Sequence, residues 1–241
     1  ETLLADWPAF SPPEKRELMN RLDDAEAASL FLSLSTHEQA VFLEILPAAA
    51  RKLWFRLLAP DDATDVIQQV SEENQQGLLD ALDPFSRAQV QGLLAFAEDN
   101  AGGLMNPRYA VIRPEFTTDQ AISYLRRQER NRAESFYYIY VLDTEQRLVG
   151  VLSLRELLRA SPHRTIEEVM KKEVLSVPST MDQEDVARQM ANYDLLAIPV
   201  VDINGKMKGI VTIDDVMDVV NEEATEDIQK LGGSEALDAP Y

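Results

Sequence analysis

Along residues 1–100, Leu, Ala and Phe recur at helical spacing and β-branched residues are sparse, so the pattern predicts α-helices throughout. Thr36, Pro47, Pro60, Ser71 and Pro84 punctuate this stretch, each at the start of an apolar run such as Ala40-Val41-Phe42-Leu43-Glu44-Ile45-Leu46. Proline suits a first helical turn, and Ser or Thr suits the cap before it. The spacing predicts helices of about ten residues, too short to be stable alone. Stacked in pairs, they form a small α-solenoid or superhelix.

The pattern changes near Gly102-Gly103. Strand-like runs rich in Val, Ile and Tyr appear at Phe136–Leu142, Leu148–Leu152, Ile198–Val201 and Lys208–Ile213. Helical runs at Thr118–Arg127, Asp182–Asn192 and Ile213–Ile228 lie between or after them. This βα alternation repeats once. Leu104-Met105-Asn106-Pro107 is echoed by Val169-Met170-Lys171-Lys172, at an offset of 65 residues. Tyr140-Val141-Leu142-Asp143 is echoed by Pro199-Val200-Val201-Asp202, at an offset of 59. At the same offset, the run from Leu148 to Glu156 is echoed by the run from Met207 to Asp215. Two similar units this small predict packing about a pseudo-twofold axis.

Composition narrows the chemistry. The chain has 241 residues, 45% of them hydrophobic, which supports a buried core. It has no cysteine, which excludes disulfides, cysteine-ligated metals and cysteine nucleophiles. His37, read as lying in a helical-repeat loop, and His163, in the linker between repeats, are too few for a His-rich zinc or copper site. A net charge of −19 argues against a phosphate-neutralising nucleic-acid face but suits hard cations. No run is long and apolar enough to span a bilayer, and no signal segment opens the chain. It starts at Glu1-Thr2-Leu3-Leu4 without a methionine, which reads as a soluble piece cut from something longer.

The strongest local signal is acidic. Asp214, Asp215, Asp218, Glu222, Glu223, Glu226 and Asp227 follow one another without a base between them. On a helix, Asp215, Asp218, Glu222 and Glu226 form one stripe, while Val216, Val219, Val220 and Ile228 lie on faces that can pack. Such a stripe needs solvent, a basic surface or bound cations; a solvated acidic face is the plainer reading. Asp61-Asp62-Ala63-Thr64-Asp65 is the second cluster. Capping after Pro60 accounts for Asp61 or Asp62, while Asp61 and Asp65, one turn apart, can share an ion. An all-carboxylate set suits Mg2+, Ca2+ or Mn2+. Arg126-Arg127 with Arg130-Asn131-Arg132 reads as a solvated helix end. Ala101-Gly102-Gly103 lacks the Lys-Ser/Thr of a phosphate loop. No nucleophile stands near either histidine, so no enzyme activity is expected.

The Gly-apolar-apolar-Ser/Thr-x-x-acid strings at 150–156 and 209–215, with Ile198-Pro199-Val200-Val201-Asp202, resemble a tandem pair of CBS domains. Ala101-Gly102-Gly103-Leu104-Met105, Phe136-Tyr137-Tyr138-Ile139-Tyr140-Val141 and the run Glu223–Gly232 resemble the cytosolic part of MgtE-type magnesium transporters and channels, as does the helical first half. The resemblance implies an α plus α/β architecture: a helical superhelix over 1–100, CBS units over 101–165 and 166–241, and an acidic C-terminal helix. That helix would lead toward a five-helix pore domain beyond Tyr241, at the cytoplasmic face of a membrane.

It further implies a Mg2+ site set comprising Asp61, Asp65, Glu184, Asp194, Asp214, Asp215, Asp218, Glu223, Glu226 and Asp227. In it, Asp61 and Asp65 face Asp215 and Asp218 across an interdomain gap. One family carboxylate falls on Ser29, with Glu26 the nearest substitute. ATP would contact Tyr138, Ser153, Arg155 and Glu156, with Ile198 and Pro199 lining the base. Glu156 departs from the usual aspartate, and Leu195 stands where an aromatic residue often covers the adenine. The CBS pair implies a homodimer. The function so implied is a Mg2+ sensor that closes a pore. Its rivals are a CBS-type adenine-nucleotide sensor regulating another protein, and a helical scaffold that binds a peptide.

Overall fold

The computed structural model describes residue 4 and residues 6–128 and 135–220. Residues 1–95 and 96–241 form two compact units.

The first unit is helical. A 3-10 turn, Trp7–Ala9, precedes α1 (Pro12–Arg21), α2 (Asp24–Leu32), α3 (Thr36–Ile45), α4 (Ala48–Phe55), α5 (Pro60–Gln68), α6 (Glu72–Leu79) and α7 (Pro84–Leu93). Local chemistry sets the starts. The Asp23 carboxylate accepts the Glu26 N–H at 2.8 Å, and Glu26 accepts the Asp23 N–H in return. Asp83 caps α7 through the Phe85 and Ser86 N–H groups. Pro60 and Pro84 occupy first turns, as the spacing predicts, but Pro47 is itself the cap residue of α4. Ser35 caps α3, so His37 lies inside a helix rather than in a loop.

The helices stack in alternation. α1 packs on α3, α3 on α5 and α5 on α7, while α4 packs on α6. Their apolar stripes meet in a core that includes Trp7, Phe31, Phe42, Leu43, Val66, Ile67 and Val90. Phe42 and Trp54 meet edge to face with ring centroids 5.0 Å apart. Beside this cluster, Lys15 Nζ pairs with Glu38 Oε2 at 2.6 Å, its side chain only 6% exposed, and lies 5.6 Å from the Trp7 ring centroid.

The second unit contains two copies of one topology. The first has α8 (Ala101–Leu104), β1 (Tyr109–Ile112), α9 (Thr118–Gln128), β2 (Ser135–Leu142), β3 (Leu148–Ser153) and α10 (Leu154–Arg159). The second has α11 (Ile166–Val169), β4 (Val177–Pro178), α12 (Gln183–Asn192), β5 (Ala197–Val201), β6 (Met207–Thr212) and α13, helical over 213–220. In each sheet the short strand runs parallel to the next, which pairs antiparallel with the third. The turns repeat too. Asp143 Oδ1 accepts the Glu145 and Arg147 N–H groups, as Asp202 Oδ1 accepts those of Asn204 and Lys206. Gln146 and Gly205 hold the equivalent left-handed positions, at φ 66° and 74°.

The copies exchange arms. The arm entering the first copy is fastened to the second: Ala101 N–H donates to Met181 O at 2.7 Å, Gly102 N–H to Ser179 O at 2.9 Å, and Asn106 exchanges two bonds with Ile210. The arm entering the second is fastened to the first by the equivalent bonds: Ile166 N–H to Phe116 O at 2.8 Å, Glu167 N–H to Pro114 O at 3.1 Å, and Lys171 with Val151. The repeated glycines make this possible. A Cβ on Gly209 would lie 2.8 Å from Asn106 O and 2.9 Å from Met105 Cγ, and one on Gly150 would strike Met170. The Leu-Met and Val-Met echoes are thus the contacts of the repeated glycines. Tyr140, Leu142, Met207 and Ile210, from both copies, share a buried cluster.

Candidate metal and nucleotide sites

Among the described residues, the acidic positions fall on or beside three separate elements. On α5, Pro60 takes the first turn and the Ala59 N–H donates to Asp62 Oδ2 at 3.4 Å. The capping bond therefore goes to Asp62, not to Asp61. Asp61 is buried, whereas Asp65, one turn on, is exposed. Glu184 stands in the first turn of α12 and its N–H donates to Asp182 Oδ1. Asp194 lies past the other end, at φ 51°. A ten-residue helix is about 15 Å long, so these two carboxylates do not share one ion within a chain. Glu26, the substitute for the Ser29 position, is committed to the cap of α2.

On α13, Asp214 and Asp218 are exposed one turn apart. Val216 and Val219 are buried, but Val220 is 50% exposed rather than packed. Asp215 is half-buried, and its Oδ2 accepts the Thr212 N–H at 3.0 Å and the Thr212 hydroxyl at 2.6 Å. One oxygen of this expected ligand is therefore spent on capping its own helix. Glu222, Glu223, Glu226 and Asp227 lie outside the described residues. Among the described residues, no three carboxylates or histidines gather at one point. The donor set is hard oxygen, which fits Mg2+, an ion that retains much of its water.

The nucleotide positions are drawn closer together. The register sets Tyr138 opposite Ser153 and Pro199 opposite Ile210. Tyr138 packs on the cluster containing Ile210. Ile198 and Pro199 are buried, and Leu195 is half-buried. Ser153 and Glu156 form a capping box for α10. Glu156 Oε2 accepts the Ser153 N–H at 2.7 Å and its hydroxyl at 2.9 Å. Lys171 Nζ reaches Glu156 Oε1 at 3.1 Å from the exchanged arm. The Ser153 N–H, against the opposing effect of burial and with smaller help from the Ser153 hydroxyl and Lys171, holds the Glu156 carboxyl below the ordinary glutamate range. Arg155 is exposed beside it. Burial pushes the Tyr109 phenol up to about 12, and Tyr140, whose buried hydroxyl has no hydrogen-bond partner, higher still.

Lys171 was absent from the residues that the sequence singles out. It stands within a landmark of the repeat, and comparison with its counterpart Asn106 distinguishes it as a charge present in one copy alone.

Sequence profiles divide the chain in the same way. The MgtE intracellular N domain matches residues 3–99, and the CBS domain matches residues 101–163 and 166–222. The solved cytosolic domain of the Mg2+ channel MgtE in complex with ATP is 43% identical, with a TM-score of 0.82 over 90% of this chain and 88% of that one. The chain belongs to the MgtE family. The magnesium transporter MgtE of Thermus thermophilus is 43% identical over 244 residues, which cover all of this chain and 54% of the relative. MgtE of Bacillus subtilis is 34% identical over 224 residues, covering 92% and 49%. The chain thus spans about half the length of these curated MgtE relatives and corresponds to the cytosolic domain: an MgtE N domain followed by a CBS pair. The MgtE relatives are transporters and channels rather than enzymes. No helix among the described residues is long and apolar enough to cross a membrane.

Proposed function

We propose that this region senses Mg2+ for a magnesium channel or transporter. Mg2+ draws the carboxylates of the helical unit, the exposed Asp65 and the buried Asp61 one turn before it, onto those of the CBS pair, Asp214, Asp215 and Asp218. Glu184, Asp194, Glu223, Glu226 and Asp227 complete the ion sites. Without Mg2+ these carboxylates repel; with it, the compact arrangement is favoured by RT ln(1 + [L]/Kd) per site. Compaction favours the closed pore. A homodimer formed through the CBS pair completes the sensor, and sedimentation of a monomer with and without Mg2+ would contradict that part.

The observation that carries this reading is the 43% identity to the cytosolic domain of a Mg2+ channel across nearly its whole length. Mg2+ titration calorimetry tests it. Replacing Asp61 and Asp65 by Ala, or Asp214 and Asp218, should each remove most of the Mg2+ response. The combined variant should lose little more, because either deletion breaks the same bridge. Variants that become compact at lower Mg2+ than the parent would leave simple repulsion as the better account.

A second reading stands beside it, favoured by the ATP in the related channel structure. Adenine nucleotide binds between the repeats here, with Ser153 and Glu156 at the ribose, Arg155 toward the phosphates, and Tyr138, Ile198 and Pro199 around the base. Calorimetry with ATP alone separates the two ligands, and no heat from ATP would remove this reading.

A further inference from the structure

Resting on the nucleotide reading, we propose that Lys171 is a phosphate-binding residue of the cleft between the repeats. The second repeat's arm delivers it to the first repeat's capping box.

Three observations converge on it. The main chain at Lys171 is fixed by two hydrogen bonds to Val151, 2.9 and 3.0 Å long, on the strand that leads into Ser153. Its Nζ stands 3.1 Å from Glu156 Oε1, at the acid of the Ser-x-x-acid motif, and its side chain is 69% exposed. The ammonium is therefore held beside the acid of the motif and is open to solvent.

The pseudo-twofold relation supplies the third. Offsets of 65 and 59 residues place Asn106 at the position of Lys171, Asp214 at that of Arg155, Thr212 at that of Ser153 and Asp215 at that of Glu156. The backbone bonds of Asn106 with Ile210 match those of Lys171 with Val151, and the Thr212–Asp215 cap matches Ser153–Glu156. The two copies thus share a scaffold but differ in charge. The first carries two cations, Lys171 and Arg155; the second carries an amide and an added carboxylate. A polyphosphate is attracted to the first motif and repelled from the second.

The Lys171–Glu156 pair then acts as an exchange. A polyphosphate offers Lys171 more negative charge than one carboxylate does, so the ammonium turns to the phosphates. Glu156 Oε1 is released to accept ribose hydroxyls, while Oε2 stays on the helix cap. The nucleotide exchanges one ion pair for another and leaves the cap intact.

Calorimetry on the whole chain, with ATP and adenosine as separate probes, tests this. Lys171→Gln should weaken ATP about tenfold and leave adenosine bound as tightly or more tightly, since Glu156 Oε1 no longer gives up an ion pair to the ribose, while Lys171→Arg should largely restore ATP. Lys172→Gln, which removes a lysine paired with Glu167, should leave both unchanged. Equal ATP affinity in Lys171→Gln and the parent would overturn the assignment. So would equal losses for ATP and adenosine, which would indicate a change in cleft shape rather than lost phosphate contact. A parent that binds neither probe would remove the nucleotide reading itself, and this assignment with it. A parent that binds both but is indifferent to Lys171 would remove the assignment alone.

Discussion

Lys171 and Val151 exchange two backbone hydrogen bonds, 2.9 and 3.0 Å long, although each belongs to a different repeat. Asn106 and Ile210 do the same in the opposite direction, at 2.7 and 3.0 Å. Neither repeat completes its own fold. The arm that leaves the helical unit is fastened to the second repeat, past the first in sequence. The CBS pair should therefore unfold as one cooperative unit, and hydrogen exchange should report the same opening free energy at Lys171 and Asn106 amides.

The crossing of the arms should be intolerant of added volume. Gly209→Ala places a Cβ 2.8 Å from the Asn106 carbonyl oxygen, a backbone atom that has little freedom to move. It should cost about 2–3 kcal/mol in urea denaturation. Gly150→Ala meets first the flexible Met170 side chain and should cost less. Gly92→Ala, where nothing lies within 4 Å on a helix, should stabilise by about 0.5–1 kcal/mol.

The Lys15–Glu38 pair predicts an asymmetric response in the helical unit. Glu38→Gln leaves the 6%-exposed Lys15 side chain facing the Trp7 ring without its carboxylate. That should cost about 3 kcal/mol of unfolding free energy. Lys15→Met combined with Glu38→Leu should cost less than the sum of the single changes, since no buried charge is left unpaired.

Glu156 should make the CBS pair sensitive to acid. Its folded carboxyl lies below the ordinary value of 4.5, so its contribution is present above that value and lost as pH falls through the lower folded one. Side-chain NMR titration should show the depressed midpoint. Lys171→Gln should raise it only in part, because the Ser153 N–H is the larger cause. Ser153→Ala should cost about 1 kcal/mol as a lost cap.

Much of this organisation is legible in sequence because it is periodic. Helical spacing marks the first unit, and strand-like runs with paired landmarks mark the two repeats. Strands β1 and β4 escaped because four and two residues, Tyr109–Ile112 and Val177–Pro178, are too few to carry a polar–apolar alternation in sequence, although burial does alternate along β1. Their pairing is fixed by a distant parallel neighbour. α8 and α11 are single turns whose fastening lies in the opposite repeat. The acids at 215 and 156 carried two messages in one motif. By resemblance Ser/Thr-x-x-acid reads as a ribose contact, yet the same spacing closes a cap within its own helix. Separating a buried Asp61 from an exposed Asp65 required packing, since both occupy one face in the sequence pattern.

Small-angle scattering of the chain tests the central claim most directly, with Mg2+ at about 10 mM compared against EDTA in sodium salt of matched ionic strength. Matching removes the compaction that screening alone would produce. Bridging by Mg2+ predicts a smaller radius of gyration in Mg2+, with the difference abolished when Asp61 and Asp65 are both replaced by Ala. The same radius in Mg2+ and in the matched sodium salt would contradict it.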